Sequence, residues 1–147
     1  MPVLLDSNVL VHAVYKASPL HQMAAELLDR GLRHRGLYCI APQNLVEFAA
    51  VVTRPRLVSP PLAGRDVLRI TESLYSSRRL LKIYPSRGTV IRALRHGASI
   101  GISGPHWYDL FLAMTMVDAG VSVIITEDVN DFRGIPFITA RDIRSQV

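Results

Sequence analysis

The sequence is short of the residues that build thiolate metal sites, disulfide frameworks and membrane spans. It holds one cysteine, Cys39, which excludes an intrachain disulfide. No His/Cys pattern at zinc-site spacing accompanies it. Cys39 sits inside the apolar run from Leu37 to Ala41, where a small buried hydrophobe is the expected role. No stretch approaches the roughly 18 consecutive apolar residues of a membrane span, and no basic, apolar and cleavable leader precedes the first apolar run at Val3. The expectation is a cytoplasmic protein, neither membrane-spanning nor secreted. Internal repeats and low-complexity segments are also missing, and the Ser59-Pro60-Pro61 break is only loop-sized.

What is present suits one globular domain over residues 1–147, with 49% hydrophobic residues to fill a core. The net charge of +5 is unevenly spread: from Arg54 to Arg95 nine arginines and Lys82 face only Asp66 and Glu72. That segment carries a surplus of eight and leaves the two ends together at −3. A basic belt beside acid-rich ends suits a protein that grips a polyanion and works on it with carboxylates. Fifteen of the seventeen basic residues are arginine, so genomic composition is the competing explanation. Among them Arg54, Arg56, Arg87, Arg92 and Arg95 are candidates to hold phosphates.

Periodicity alternates between strand and helix. Val3 to Leu5 reads as a strand, followed by a helix to about Tyr15 that Ser7 or Asn8 can cap. Pro19 opens a helix with Leu20, Met23, Ala24, Leu27 and Leu28 in phase, ending at Gly31 or Gly36. Leu37 to Ala41 is the second strand, and Pro42 to about Arg54 the next helix. Leu62 to Arg79 is helical, Leu80 to Tyr84 a strand, and about Thr89 to Ala98 a helix. Pro105 begins a largely buried helix, with Trp107 to Ala119 apolar around most of its circumference and Gly120 ending it. Strands at Ser122 to Thr126 and Pro136 to Thr139 complete the chain. Strands separated by helices imply a parallel sheet covered on both faces, a three-layer α/β fold.

In such sheets the functional crevice lies at the carboxyl ends of the strands. Asp6 ends the first strand and Asp128 follows the fourth; Glu47 and Asp109 fall in the early turns of helices that begin at Pro42 and near Pro105. Four carboxylates brought to one cleft raise one another's pKa unless a cation is present. A hard ion such as Mg²⁺ or Mn²⁺, held by oxygen ligands, relieves that and supports phosphodiester hydrolysis. Asp6 could also serve simply as a helix cap, and Glu47 could be placed by the helix dipole. Asp109 interrupts an otherwise apolar helix. Asp128 shares its loop with Glu127 and Asp131, which leaves the choice among the three open. His106 and Trp107 are candidates to touch RNA, although a lone tryptophan is more often a core residue.

Taken in order, Leu4-Leu5-Asp6-Ser7-Asn8, the Glu47 helix, Trp107-Tyr108-Asp109-Leu110-Phe111-Leu112-Ala113, and Ile125-Thr126-Glu127-Asp128 with Asp131-Phe132 after it resemble the PIN-domain ribonucleases, and most closely the VapC-type toxins of bacterial toxin–antitoxin pairs. The resemblance spans nearly the whole chain. It implies a five-stranded parallel sheet, Mg²⁺ held by Asp6, Glu47, Asp109 and Asp128, cleavage of an RNA phosphodiester bond, a homodimer, and an antitoxin partner. It also implies that Ser7, Asn8 and Thr126 orient the acids; capping is the equal alternative for Ser7 and Asn8. Two other functions are compatible with such a chain: a PIN-like module that binds RNA or protein without cutting, and a metal-dependent DNA nuclease. Aspartyl-phosphate chemistry fits poorly, because Asn8 stands where a second acid is needed and neither Lys16 nor Lys82 follows a late strand.

Overall fold

The computed structural model describes residues 1–146. Its strands are β1 (Val3–Leu5), β2 (Tyr38–Ile40), β3 (Leu81–Lys82), β4 (Val123–Thr126) and β5 (Thr139–Asp142). Its α-helices are α1 (Ser7–Val14), α2 (His21–Arg33), α3 (Pro42–Val52), α4 (Gly64–Ser76), α5 (Arg87–Ile100) and α6 (His106–Asp118), with 3₁₀ turns at Val129–Phe132 and Ile143–Ser145. The strands form one sheet in the order β3-β2-β1-β4-β5, every neighbouring pair parallel.

Alternation along the strands divides the core in two, because successive side chains point to opposite faces. Leu5, Ile40 and Ile125 pack with α1, α2, α3 and Leu74 of α4. Leu4, Cys39 and Ile124 pack with α5 and α6 through Ala93, Leu110, Ala113 and Met116. The expected three-layer α/β architecture with a five-stranded parallel sheet is therefore present. Cys39 is fully buried, and desolvation pushes its thiol up to about 12, the behaviour of a packing residue rather than a nucleophile.

The order of strands positions the site. From β1 the chain builds outward through β2 to β3, then returns across the sheet to place β4 on the other side of β1. The two halves part between β1 and β4, and such a switch point opens a crevice at the carboxyl ends of the strands. Asp6 and the segment after Thr126 lie there.

Several boundaries differ from the sequence expectation. The last strand runs over Thr139–Asp142, not Pro136 to Thr139. Phe137 takes a φ of 66° and Gly134 one of 84°, so the backbone is turning where the apolar residues sit, and pairing begins only with the Thr139 N–H on Ser122 O. β5 is an edge strand carrying Arg141 and Asp142, which an apolar-run criterion passes over. β3 has two residues rather than five. α4 ends at Ser76 because Ser77 turns extended; Lys82 Nζ reaches back to the Ser77 carbonyl just beyond that end, where a cation is favoured. Asp6 itself, rather than Ser7 or Asn8, caps α1. Gly120 ends α6 with a φ of 71° as its position suggested.

Candidate active site

Asp6 leaves β1 and caps α1, accepting from the Ser7 backbone N–H at 2.7 Å. Its second oxygen accepts from the Thr126 hydroxyl at 2.7 Å and from the Asn8 amide at 3.3 Å. The carboxyl is 7% exposed. Burial, and secondarily the charge of Glu47, outweigh those hydrogen bonds and raise its pKa to about 6.

Glu47 reaches the same place from α3. Ser7 Oγ donates to its Oε2 at 2.9 Å, and Gln43 Nε2, one helical turn earlier, donates to its Oε1 at 2.7 Å. Gln43 also donates to the Tyr108 carbonyl at 2.9 Å, tying α3 to the start of α6. Asp109 stands in the first turn of α6, with His106 Nδ1 3.5 Å from its Oδ2. Its pKa is likewise raised to about 6, first by desolvation and then by the charges of Asp131 and Asp6.

Thr126 is fully buried and uses its hydroxyl completely. It donates to Asp6 and accepts from the Asn8 amide and from the Asp128 N–H, each at 3.0 Å. Asn8 joins the start of α1 to the loop after β4: its amide also lies 3.3 Å from Asp128 Oδ2, and its carbonyl oxygen accepts from the Glu127 N–H at 3.1 Å. The pKa of Asp128 is raised by desolvation and by Asp131 and Glu127.

Asp6, Glu47, Asp109 and Asp128 all line one cleft of about 640 Å³. The structure adds Asp131, absent from the expected set of four, from the 3₁₀ turn three residues beyond Asp128. His106, Asp109 and Asp131 each offer a ligand atom within 4.8 Å of the others, and among the described residues theirs is the group this tight. The Asp128 carboxylate, in contrast, is drawn toward Asn8. Nothing in the apolar periodicity marks Asp131; the spacing Asp128-x-x-Asp131, which a helical turn folds back, is the available signal.

Two further residues escaped the sequence reading. His12 Nε2 lies 2.7 Å from Glu127 Oε2, and its Nδ1 lies 2.6 Å from Ser18 Oγ, which accepts from the Leu20 N–H. None of Arg54, Arg56, Arg87, Arg92 and Arg95 lines the cleft, and Arg92 is paired with Asp118. Trp107 is half-buried, its ring against Gly97 of α5.

The electrostatic link between Asp131 and Asp109 can be tested in metal-free protein. Asp131→Asn should lower the Asp109 pKa from about 6, read by carboxyl carbon NMR from acid to neutral pH. An unchanged titration would separate the two carboxylates.

Comparison with known proteins agrees in sequence and in fold. The family model described as PIN domain matches residues 3–138. Ribonuclease VapC48 of Mycobacterium tuberculosis is 30% identical over 142 residues, 97% of each chain. Ribonuclease VapC24 of the same organism is 26% identical over 135 residues, 90% of each. Among solved structures, a DNA-bound VapBC from Salmonella typhimurium superposes with a TM-score of 0.66 at 20% identity, covering 97% of this chain and 98% of that one. At that identity the likeness is one of fold.

Proposed function

The chain belongs to the PIN-domain family, and from that premise we propose that it is a Mg²⁺-dependent endoribonuclease, the toxin of a toxin–antitoxin pair. The observation that carries this reading is the convergence of Asp6, Glu47, Asp109 and Asp128, with Asp131, on one cleft at the switch point of the sheet. The names of the curated relatives, both ribonucleases, support it.

The donor set fits a hard divalent cation. Its atoms are carboxylate oxygens, with one imidazole at the edge, and burial, joined by the charge of neighbouring carboxylates, holds two carboxyls near pKa 6. We assign Asp6, Glu47, Asp109 and Asp128 as the groups that hold it, with Asp131 beside Asp109. When bound, Mg²⁺, or Mn²⁺ in its place, supplies activation of the attacking water and neutralises charge on the phosphodiester. The chain supplies direction. Thr126 and Ser7 fix the two oxygens of Asp6, Ser7 and Gln43 fix those of Glu47, and Asn8 holds the loop of Asp128 against the start of α1. Such anchoring is what keeps ligand oxygens aimed. RNA is the substrate in this reading, a small antitoxin is the protein partner, and the protein works as a homodimer of single-domain chains in the cytoplasm.

Purified protein should cleave RNA in Mg²⁺ or Mn²⁺ and stop on addition of EDTA, recovering when the metal is restored. Expression should arrest growth, and co-expression of the neighbouring antitoxin frame should relieve it. RNA binding in Mg²⁺ without cleavage would replace the nuclease by a binding module.

A further inference from the structure

The cleft extends well past the carboxylates. Along α1 the residues that line it are Ser7 and Asn8, then Val11 and His12 one turn on, then Tyr15 at the helix end. Along α3 they are Glu47 and, one turn on, Val51, with Leu57 beyond the helix. Both helices leave the sheet at the edge where the acids gather, so the cleft between them changes from acidic to apolar along its length. At 1.5 Å per residue Tyr15 stands about 10 Å from Asn8 along α1, a step suited to the base of a nucleotide whose phosphate lies at the carboxylates.

One carboxylate of fixed direction borders this arm. Glu127 is held through its backbone N–H by Asn8 and through Oε2 by His12, two residues four apart on one face of α1. The Glu127 carboxylate can only accept, so His12 Nε2 carries the hydrogen and donates to it, and the Ser18 hydroxyl, whose oxygen accepts from Leu20, can donate to His12 Nδ1. Arg144 Nη2 stands 3.4 Å from the other oxygen, Oε1. The side chain is 33% exposed, and a carboxylate accepts more bonds than these. Its negative charge repels a phosphate, so the group that suits the arm has apolar faces, an N–H edge and no anionic charge.

Resting on the nuclease reading, we propose that this arm is a nucleobase subsite, in which a base next to the scissile phosphate lies against Tyr15, Val51 and Leu57 and donates from its edge to Glu127. Stacking on an aromatic ring serves any base; the carboxylate selects among them. Adenine, cytosine and guanine each offer an amino group. Uracil offers one ring N–H flanked by two carbonyl oxygens that a carboxylate repels, so uridine ranks last.

The test uses RNAs that differ in one nucleotide on either side of the cut. The parent should cleave the uridine form slowest, by on the order of tenfold or more. Glu127→Gln should raise the relative rate on uridine, because an amide can pair with both its N–H and its carbonyl. Tyr15→Leu should raise KM on every sequence while keeping the ranking; Leu57→Ser, at a half-exposed position, should do the same if Tyr15→Leu fails to fold. Binding of the uncharged nucleosides adenosine, cytidine, guanosine and uridine in EDTA, followed by NMR of tyrosine ring signals, gives the ranking without catalysis, with uridine weakest. That ranking without any RNA cleavage would sink the nuclease reading and leave the subsite standing. Equal cleavage of all four sequences, unmoved by Glu127→Gln, would overturn the subsite and leave the nuclease. Displacement of no nucleotide but capture of an antitoxin peptide by the arm would overturn it too.

Discussion

Asp6→Asn should abolish RNA cleavage, by at least about a hundredfold, and should at the same time make the metal-free protein more stable at neutral pH. Asparagine keeps the shape and the cap on the Ser7 N–H but removes a charge from a site where burial opposes it. The Asp6 carboxyl titrates at about 6 in the folded chain against an ordinary aspartate value of 3.8. For a group with a raised pKa, the stabilising contribution is complete below the unfolded value of 3.8 and is lost as pH rises through about 6. A difference of that size corresponds to about 3 kcal/mol as an upper bound. The amide gives up an acceptor for the Thr126 hydroxyl, which reduces the net gain to roughly 1–2 kcal/mol. Metal-free parent protein should therefore melt higher at about pH 5 than at about pH 7 on this account, and the variant should lose much of that difference. Added Mg²⁺ should stabilise the parent by mass action and the variant far less. Thermal melts at the two pH values, with EDTA and with Mg²⁺, check all of this. A variant that cleaves like the parent, or melts lower than it in EDTA at neutral pH, would remove Asp6 from the metal site.

Thr126→Val should cost both stability and activity, although it changes the shape of the side chain very little. The hydroxyl has three partners, and valine removes its bond to each: the buried Asp6 oxygen loses its shortest donor, the Asp128 N–H loses its acceptor, and the Asn8 amide keeps only its longer contacts to Asp6 and Asp128. Leaving buried groups unsatisfied costs about 1–3 kcal/mol, and losing an orienting contact costs about 10- to 100-fold in metal affinity or rate. The Asp6 pKa should rise further, because the Thr126 hydrogen bond is the largest influence holding it down. Thr126→Ser should restore most of what Thr126→Val removes. Isothermal titration of Mg²⁺ alongside the cleavage rate distinguishes an orienting role from a packing one, since packing loss alone would lower the melting temperature without weakening the metal in the folded protein.

Much of the frame was readable because it rests on apolar runs and on residues with fixed backbone preferences. Val3–Leu5, the Cys39 strand and Val123–Thr126 are short buried runs between turn signals, and Gly120 and Pro42 punctuate the helices beside them. β5 was displaced because its pairing residues are polar and its apolar neighbours Pro136 and Phe137 lie in a turn. The acids Asp6, Glu47, Asp109 and Asp128 could be named from their places at strand exits and helix starts, and the structure gathers them in one cleft. Asp131 could not be preferred over Glu127 or Asp128 from order alone, since only a tight 3₁₀ turn carries it back toward Asp109. His12 was hidden differently. It falls four residues after Asn8 on an otherwise apolar helix, a polar stripe that has meaning only once the partner loop, over a hundred residues later, is in place.

The gathering of the site from distant parts of the chain also bears on its biosynthesis. Asp6 emerges from a ribosome first, Glu47 some forty residues later, and Asp109, Asp128 and Asp131 more than a hundred residues after Asp6. Because β4 pairs directly with β1, the central strand waits for one neighbour until more than a hundred further residues have been translated. On the proposed function, a nascent chain short of β4 is thus inert toward the RNA around it, including the message being read, and the proposed cutting centre comes into being in the same step that closes the sheet.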